Sequence, residues 1–131
     1  GMTSNDTYKL FSKKVKNVSK KITSFLIEEK SKGANIIGYG AAAKGNTLLN
    51  YCKIGTDLID YIVDKNHHKQ GKYLPGSHIP IHGIDKVIKT KPNYIFILPW
   101  NIYEEIIEQM QFVRDWGCKF IILIPELKII E

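Results

Sequence analysis

Three stretches of this 131-residue chain hold residue types that could do chemistry. In the first, Gly38-Tyr39-Gly40-Ala41-Ala42-Ala43-Lys44-Gly45-Asn46, the residues Gly38, Gly40 and Ala43 keep the G-x-G-x-x-G/A spacing of dinucleotide-binding turns. Small side chains there let the backbone approach a pyrophosphate lying on the positive end of a helix. Asp64 stands about as far downstream as the acid that such folds use to hold ribose hydroxyls. The plainer alternative is that small residues only permit close packing of strand on helix. The same stretch excludes a phosphate-transfer loop. Gly40 and Gly45 are correctly separated, but Asn46 stands where that loop needs lysine before Thr47, and Lys44 comes two residues too early.

The second stretch, Asp64 to Gly76, is denser in donors than a simple connection requires. Lys65, Asn66, His67, His68, Lys69, Gln70, Lys72 and Tyr73 precede Pro75-Gly76-Ser77-His78. Cations beside amide, imidazole and phenol groups suit a phosphate and a sugar better than a metal. His67 and His68 are adjacent, so in extended chain they point opposite ways, and no acid or thiol stands nearby at ligand spacing; no zinc site is expected. The third stretch is Pro99-Trp100-Asn101. No nucleophilic triad or general base emerges. Cys52 and Cys118 lack a histidine context and read as core thiols, Ser77 lies in a Pro-Gly turn, and Glu104 and Glu105 are explained by a helix start.

These stretches need elements to position them. Tyr8, Phe11, Val15, Val18, Ile22 and Phe25 recur at spacings of three and four, which predicts one amphipathic helix over residues 5–32, capped by Asn5 or Asp6 and stopped at Gly33. Strands are expected at 35–39, 58–63, 94–98 and 120–124, with a short extended piece from His78 to Ile81. Helices are expected over 41–51, 85–90 and 102–116, the last with a stripe of Ile102, Ile106, Met110 and Val113. Such alternation predicts an α/β fold of Rossmann-like type, a mostly parallel sheet flanked by helices. All three chemical stretches then fall at the carboxyl ends of strands, where open α/β sheets bind ligands.

Composition bounds the function. Hydrophobic residues make up 44% and charged residues 24%, as in an ordinary folded domain, and no run is apolar enough to span a membrane. Two cysteines without an export signal point to a reducing, cytoplasmic setting. The net charge of +6 invites a nucleic-acid reading, but residues 1–32 hold eight lysines and three acids, which leaves residues 33–131 nearly neutral. No basic–aromatic strip accompanies the surplus, so no nucleic-acid partner is expected. Residues 1–4 read as a tag remnant, 5–32 as a basic helix and 33–131 as the α/β domain.

Gly38 to Asn50, then Asp60-Tyr61-Ile62-Val63-Asp64 leading through Lys69-Gln70-Gly71 to Leu74-Pro75-Gly76-Ser77-His78-Ile79-Pro80-Ile81, followed by Leu98-Pro99-Trp100-Asn101 and Trp116-Gly117-Cys118-Lys119-Phe120, resemble the C-terminal domain of SAM-dependent sugar C-methyltransferases. The resemblance covers roughly residues 5–127; Cys118 and His67 depart from the glycine and proline usual there. It implies a Rossmann-like domain that helps hold a nucleotide-diphosphate sugar, beside a zinc-binding domain and a SAM-binding domain that supply the rest. The carried-over site comprises Gly38, Tyr39, Gly40, Ala41, Ala43, Lys44 and Asn46, with Asp64, Asn66, His68, Lys69, Tyr73, Pro75, Gly76, His78, Trp100 and Asn101 lining the same cleft. The chain has neither the cysteine cluster of the zinc domain nor a second glycine-rich turn for SAM. It is therefore expected to bind no cofactor itself and to work with a SAM-binding domain in cis or trans. Two other readings stand beside this one: a small Rossmann protein using NAD(P), and an assembly module that docks or dimerises through the N-terminal helix.

Overall fold

The computed structural model describes residues 19–41, 49–99, 102–122 and 128–130. Helix α1 (residues 19–31) leads into β1 (Ile36–Tyr39). A helical turn at 49–51 precedes β2 (Ile62–Val63), and a long loop runs to β3 (Ile81–His82). Then follow α2 (Asp85–Thr90), β4 (Tyr94–Ile97), α3 (Tyr103–Gln109), a tight 3₁₀ segment (Gln111–Trp116), β5 (Lys119–Ile122) and β6 (Lys128–Ile130).

The six strands lie in the order β3-β2-β1-β4-β5-β6, the first five parallel and β6 antiparallel on the β5 edge. The chain starts in the centre at β1, winds outward one way to β3, then crosses back to β4. That crossing makes β1 and β4 the point where the winding reverses.

Both faces of the sheet are covered, and the strand residues divide between them with period two. Ile36, Ile62, Phe96, Leu98 and Ile121 pack with Ile22, Leu26, Leu49 and Cys52 on one face. Ile37, Tyr39, Val63, Ile95, Ile97 and Phe120 pack with Val87, Ile106, Met110 and Val113 on the other. The α/β expectation, with a long N-terminal helix ahead of a mostly parallel sheet, is met.

Helix α1 belongs to the core. Ile22 and Leu26 are fully buried, and Phe25 meets Tyr94 edge-on, with ring centroids 5.3 Å apart. Lys30 pairs with Asp60 at 2.7 Å, which ties the helix to the segment entering β2. Gly33, at φ +91°, closes the helix: its N–H and that of Ala34 bond back to the Lys30 and Glu29 carbonyls. Tyr8, Phe11, Val15 and Val18 of the expected stripe lie outside the described residues, as do residues 1–4.

Four boundaries differ from expectation. Residues 58–61 precede β2 without forming strand, because Leu58 and Ile59 both bond back to the Gly55 carbonyl in a turn. His78 takes φ +58° and is not extended. The helix expected over 102–116 breaks at Met110 into α3 and the 3₁₀ segment, and Ile102 is 42% exposed while Ile106, Met110 and Val113 are buried. Tightening from 3.6 toward three residues per turn keeps Met110 and Val113, three apart, on the core side. Strand β6 lies beyond the last strand expected from the pattern.

Candidate functional site at the strand switch point

The candidate site starts with the turn that leaves β1. Gly38 is buried, and a Cβ there would collide with Cδ1 of Ile62 on the neighbouring strand, so this glycine makes room for packing within the sheet. Gly40 has a different reason. Its φ is +93°, and a Cβ would stand 2.7 Å from Cδ of Pro99, where the chain leaves β4. The two crossover ends therefore meet backbone against ring, and the missing side chain is what allows it. The Gly40 N–H bonds to the Val63 carbonyl at 2.8 Å, and the Leu98 N–H to that of Tyr39 at 3.1 Å, so three strand ends converge here.

Asp64 follows directly on β2. Its Oδ2 accepts the Ala41 N–H at 2.8 Å and its Oδ1 accepts the Asn66 N–H at 2.8 Å. The carboxylate thus braces the glycine turn to its own loop. The loop continues as a chain of short local bonds: the His68 N–H to Asn66 Oδ1 at 3.0 Å, and the Lys69 N–H to the Asn66 carbonyl at 3.0 Å. Lys69 then reaches back, its Nζ donating to the Ala41 carbonyl at 3.0 Å. Among the described residues that ammonium has no carboxylate partner. A half-buried cation without a direct carboxylate partner among the described residues, beside a glycine-rich turn, suits an anionic group.

The structure brings together the backbone of Gly38 to Ala41 with Asp64, Asn66, His68 and Lys69. The Tyr39 side chain points elsewhere: it is buried, and its hydroxyl stands 3.5 Å from Gln109 Oε1 on α3. Burial, then the nearby Asp64 charge, push its phenol above the ordinary value. Pro75 and Gly76 are tied to the helical turn at 49–51, where Asn50 Nδ2 donates to the Pro75 carbonyl at 3.1 Å and the Asn50 amide fills the space a Gly76 Cβ would need. Tyr73, 65% exposed, pairs with Pro80 in an isolated antiparallel bridge, and His78 bonds back to Leu74. Of this part of the loop, Gly76 and Ser77 line a separate recess of about 360 Å³ with Lys53, Gly55 and Asp57. Another, of about 340 Å³, lies at the amino edge of the sheet beside Glu29, Lys32 and Asn93. Neither recess contains a residue of the switch point, so the convergence of strand ends, and not cavity size, marks the candidate site. Ala43, Lys44, Asn46, Trp100 and Asn101 lie outside the described residues.

Gln70 was not among the residues singled out from the sequence for ligand contact. Its Nε2 donates to the Asp64 carbonyl at 2.8 Å, and its amide packs on Gly83, where a Cβ would stand 3.1 Å from Oε1. Its place in Lys69-Gln70-Gly71 was the available signal. Neither cysteine joins the site. Burial pushes the Cys118 thiol up to about 12 and raises that of Cys52, which suits core packing over nucleophilic work. Among the described residues no group of three His, Cys, Asp or Glu could hold a metal, and no helix is long and apolar enough to cross a membrane.

The description "C-methyltransferase C-terminal domain" matches residues 1–125. The chain belongs to that family. The C-methyltransferase NovU of Streptomyces niveus is 35% identical over 131 residues, which is 100% of this chain and 31% of the relative. The C-methyltransferase C-terminal domain thus spans about a third of the length of that relative.

Proposed function

We propose that this domain binds the nucleotide-sugar substrate of a SAM-dependent sugar C-methyltransferase, either as its C-terminal part or as a stand-alone relative, and holds the diphosphate at the switch point. One observation carries the reading: the Lys69 ammonium, without a carboxylate partner among the described residues, sits 3.0 Å from the Ala41 carbonyl where β1, β2 and β4 end. Gly40 gives the close backbone approach, and Asn66 and His68, exposed and bonded to each other, belong to the same loop as the cation.

SAM and NAD both present a ribose diol that Rossmann turns hold with the acid after the second strand. Here Asp64 Oδ2 already accepts the Ala41 N–H of the glycine turn, and Oδ1 the Asn66 N–H of its own loop. The sequence contains no second glycine-rich strand turn. The Asp64 carboxylate is thus engaged in bracing the glycine turn, which favours the nucleotide-sugar reading over a SAM or NAD diol at this position.

Thermal unfolding tests this directly. A ligand that binds only the folded state at 100 times its Kd stabilises by about 2.7 kcal/mol, a rise of roughly 5–15 °C for a domain of this size. Thymidine-diphosphate glucose at millimolar concentration is expected to raise Tm on that scale, while SAM does not and NADH fluorescence is unchanged on titration. No shift with any of a panel of nucleotide sugars overturns the proposal, and a saturable NADH signal favours the NAD reading instead.

A further inference from the structure

Gln70 has no bond to the glycine turn itself among the described residues, yet it sits at the junction of what presents Lys69. Its amide nitrogen holds the Asp64 carbonyl at 2.8 Å. The next residue, Gly71, bonds through its N–H to Ile81 of β3 at 2.9 Å, and Ile81 returns a bond to the Lys72 carbonyl at 2.8 Å. On the far side the Gln70 amide is backed by Gly83. The loop from Asp64 to Gly71 is thus closed on itself, with both ends fixed to the sheet.

Lys69 is the described cation of this closed loop whose charged end reaches across to the β1 turn, where it meets Ala41 from the carbonyl side while Asp64 meets its N–H. A lysine has four rotatable side-chain bonds and loses up to about 2 kcal/mol of rotamer entropy when ordered. A backbone held in one place restricts where its ammonium can go, and that restriction is what makes a single hydrogen bond to Ala41 sufficient to aim it. We infer that Gln70 is a positioning residue: by holding the Asp64 carbonyl while its own amide rests on Gly83 it fixes the Lys69 backbone, and so the ammonium that meets the diphosphate of the ligand.

This inference rests on the nucleotide-sugar reading of the site. The test is a double-mutant cycle on the whole chain, with Kd measured calorimetrically for thymidine-diphosphate glucose and for inorganic pyrophosphate. Lys69→Met is expected to weaken both probes about tenfold, the worth of one charge-assisted hydrogen bond. Gln70→Met, which keeps the volume and removes the donor, is expected to weaken them about threefold to tenfold. The double variant is expected to bind within twofold of Lys69→Met alone, because Gln70 acts only through Lys69. A purely structural role would make the two losses multiply. Gly83→Ala supplies an independent push on the same amide without removing it, and is expected to weaken binding in the wild-type background but not in Lys69→Met; it decides the matter should Gln70→Met fail to fold. Multiplying losses, or unchanged Kd in both Gln70→Met and Gly83→Ala, overturns the positioning role and leaves the site reading standing. No binding of either probe by the wild-type chain overturns the site reading and this inference together.

Discussion

Gly40 shows how much rests on single backbone positions at this edge of the sheet. It combines a φ that side chains rarely adopt with contact against the Pro99 ring. A left-handed conformation costs a non-glycine residue about 1–2 kcal/mol, and forcing a methyl into occupied space about 1–3 kcal/mol more. Gly40→Ala is therefore expected to lower unfolding stability by about 2–5 kcal/mol, read from urea denaturation, and to weaken nucleotide-sugar binding beyond what the lost stability explains. Gly38 stood equally well in the glycine pattern, but its reason is Ile62 on the adjacent strand. Spacing alone does not separate these two roles, because both require only the absence of a Cβ. Asp64 illustrates the same limit. Its distance from the glycine turn was legible, whereas its engagement with the Ala41 and Asn66 N–H groups depends on a loop geometry that no periodicity encodes.

Among the elements, α1 is where sequence pattern and packing agree most closely. Its stripe predicted a buried face, and Ile22 is buried as predicted; Leu26, next to Phe25, is buried as well. Leu26→Ala removes a fully buried side chain between helix and sheet, and about 2–5 kcal/mol of destabilisation is expected from lost transfer energy and the cavity left behind. Ile27→Ala, one residue further around and 54% exposed, is expected to change stability by less than about 0.5 kcal/mol. Comparing the two by urea midpoint tests whether α1 is core or appendage: similar small effects would contradict the packing described. Elements that were legible have strong local signals, such as α2, expected and found over Asp85–Thr90. Those that were not depend on partners distant in sequence. The three residues of β6 are too few to show alternation, and they become a strand only by pairing with Phe120, Ile121 and Ile122. The break at Met110 arises because the core accepts a tighter turn there, which a stripe at three-and-four spacing fits equally well.

At the scale of the whole molecule, the lysines at the end of α1 and the candidate site sit at opposite edges of the sheet. Lys30 and Lys32, at the end of α1, lie next to the entry into β1; Lys30 pairs with Asp60, and Lys32 with Glu28 and Glu29. Lys69 lies where β1 ends. Four strand residues rise about 13 Å between those edges, more than the Debye length of about 8 Å at physiological ionic strength. The net charge is therefore a poor guide to ligand affinity, and the position of one ammonium is a good one. Lys32→Glu lowers the net charge by two and removes the ion pairs of an exposed lysine, each worth about 0–1 kcal/mol. It is expected to leave the Kd for thymidine-diphosphate glucose within twofold at 0.15 M salt, a concentration set by that screening estimate of about 8 Å. Lys69→Met lowers the net charge by one and is expected to cost about tenfold under the same conditions. If Lys32→Glu weakens binding as much as Lys69→Met, the ligand is responding to the field of the whole basic surface, and the switch point is not where its diphosphate rests.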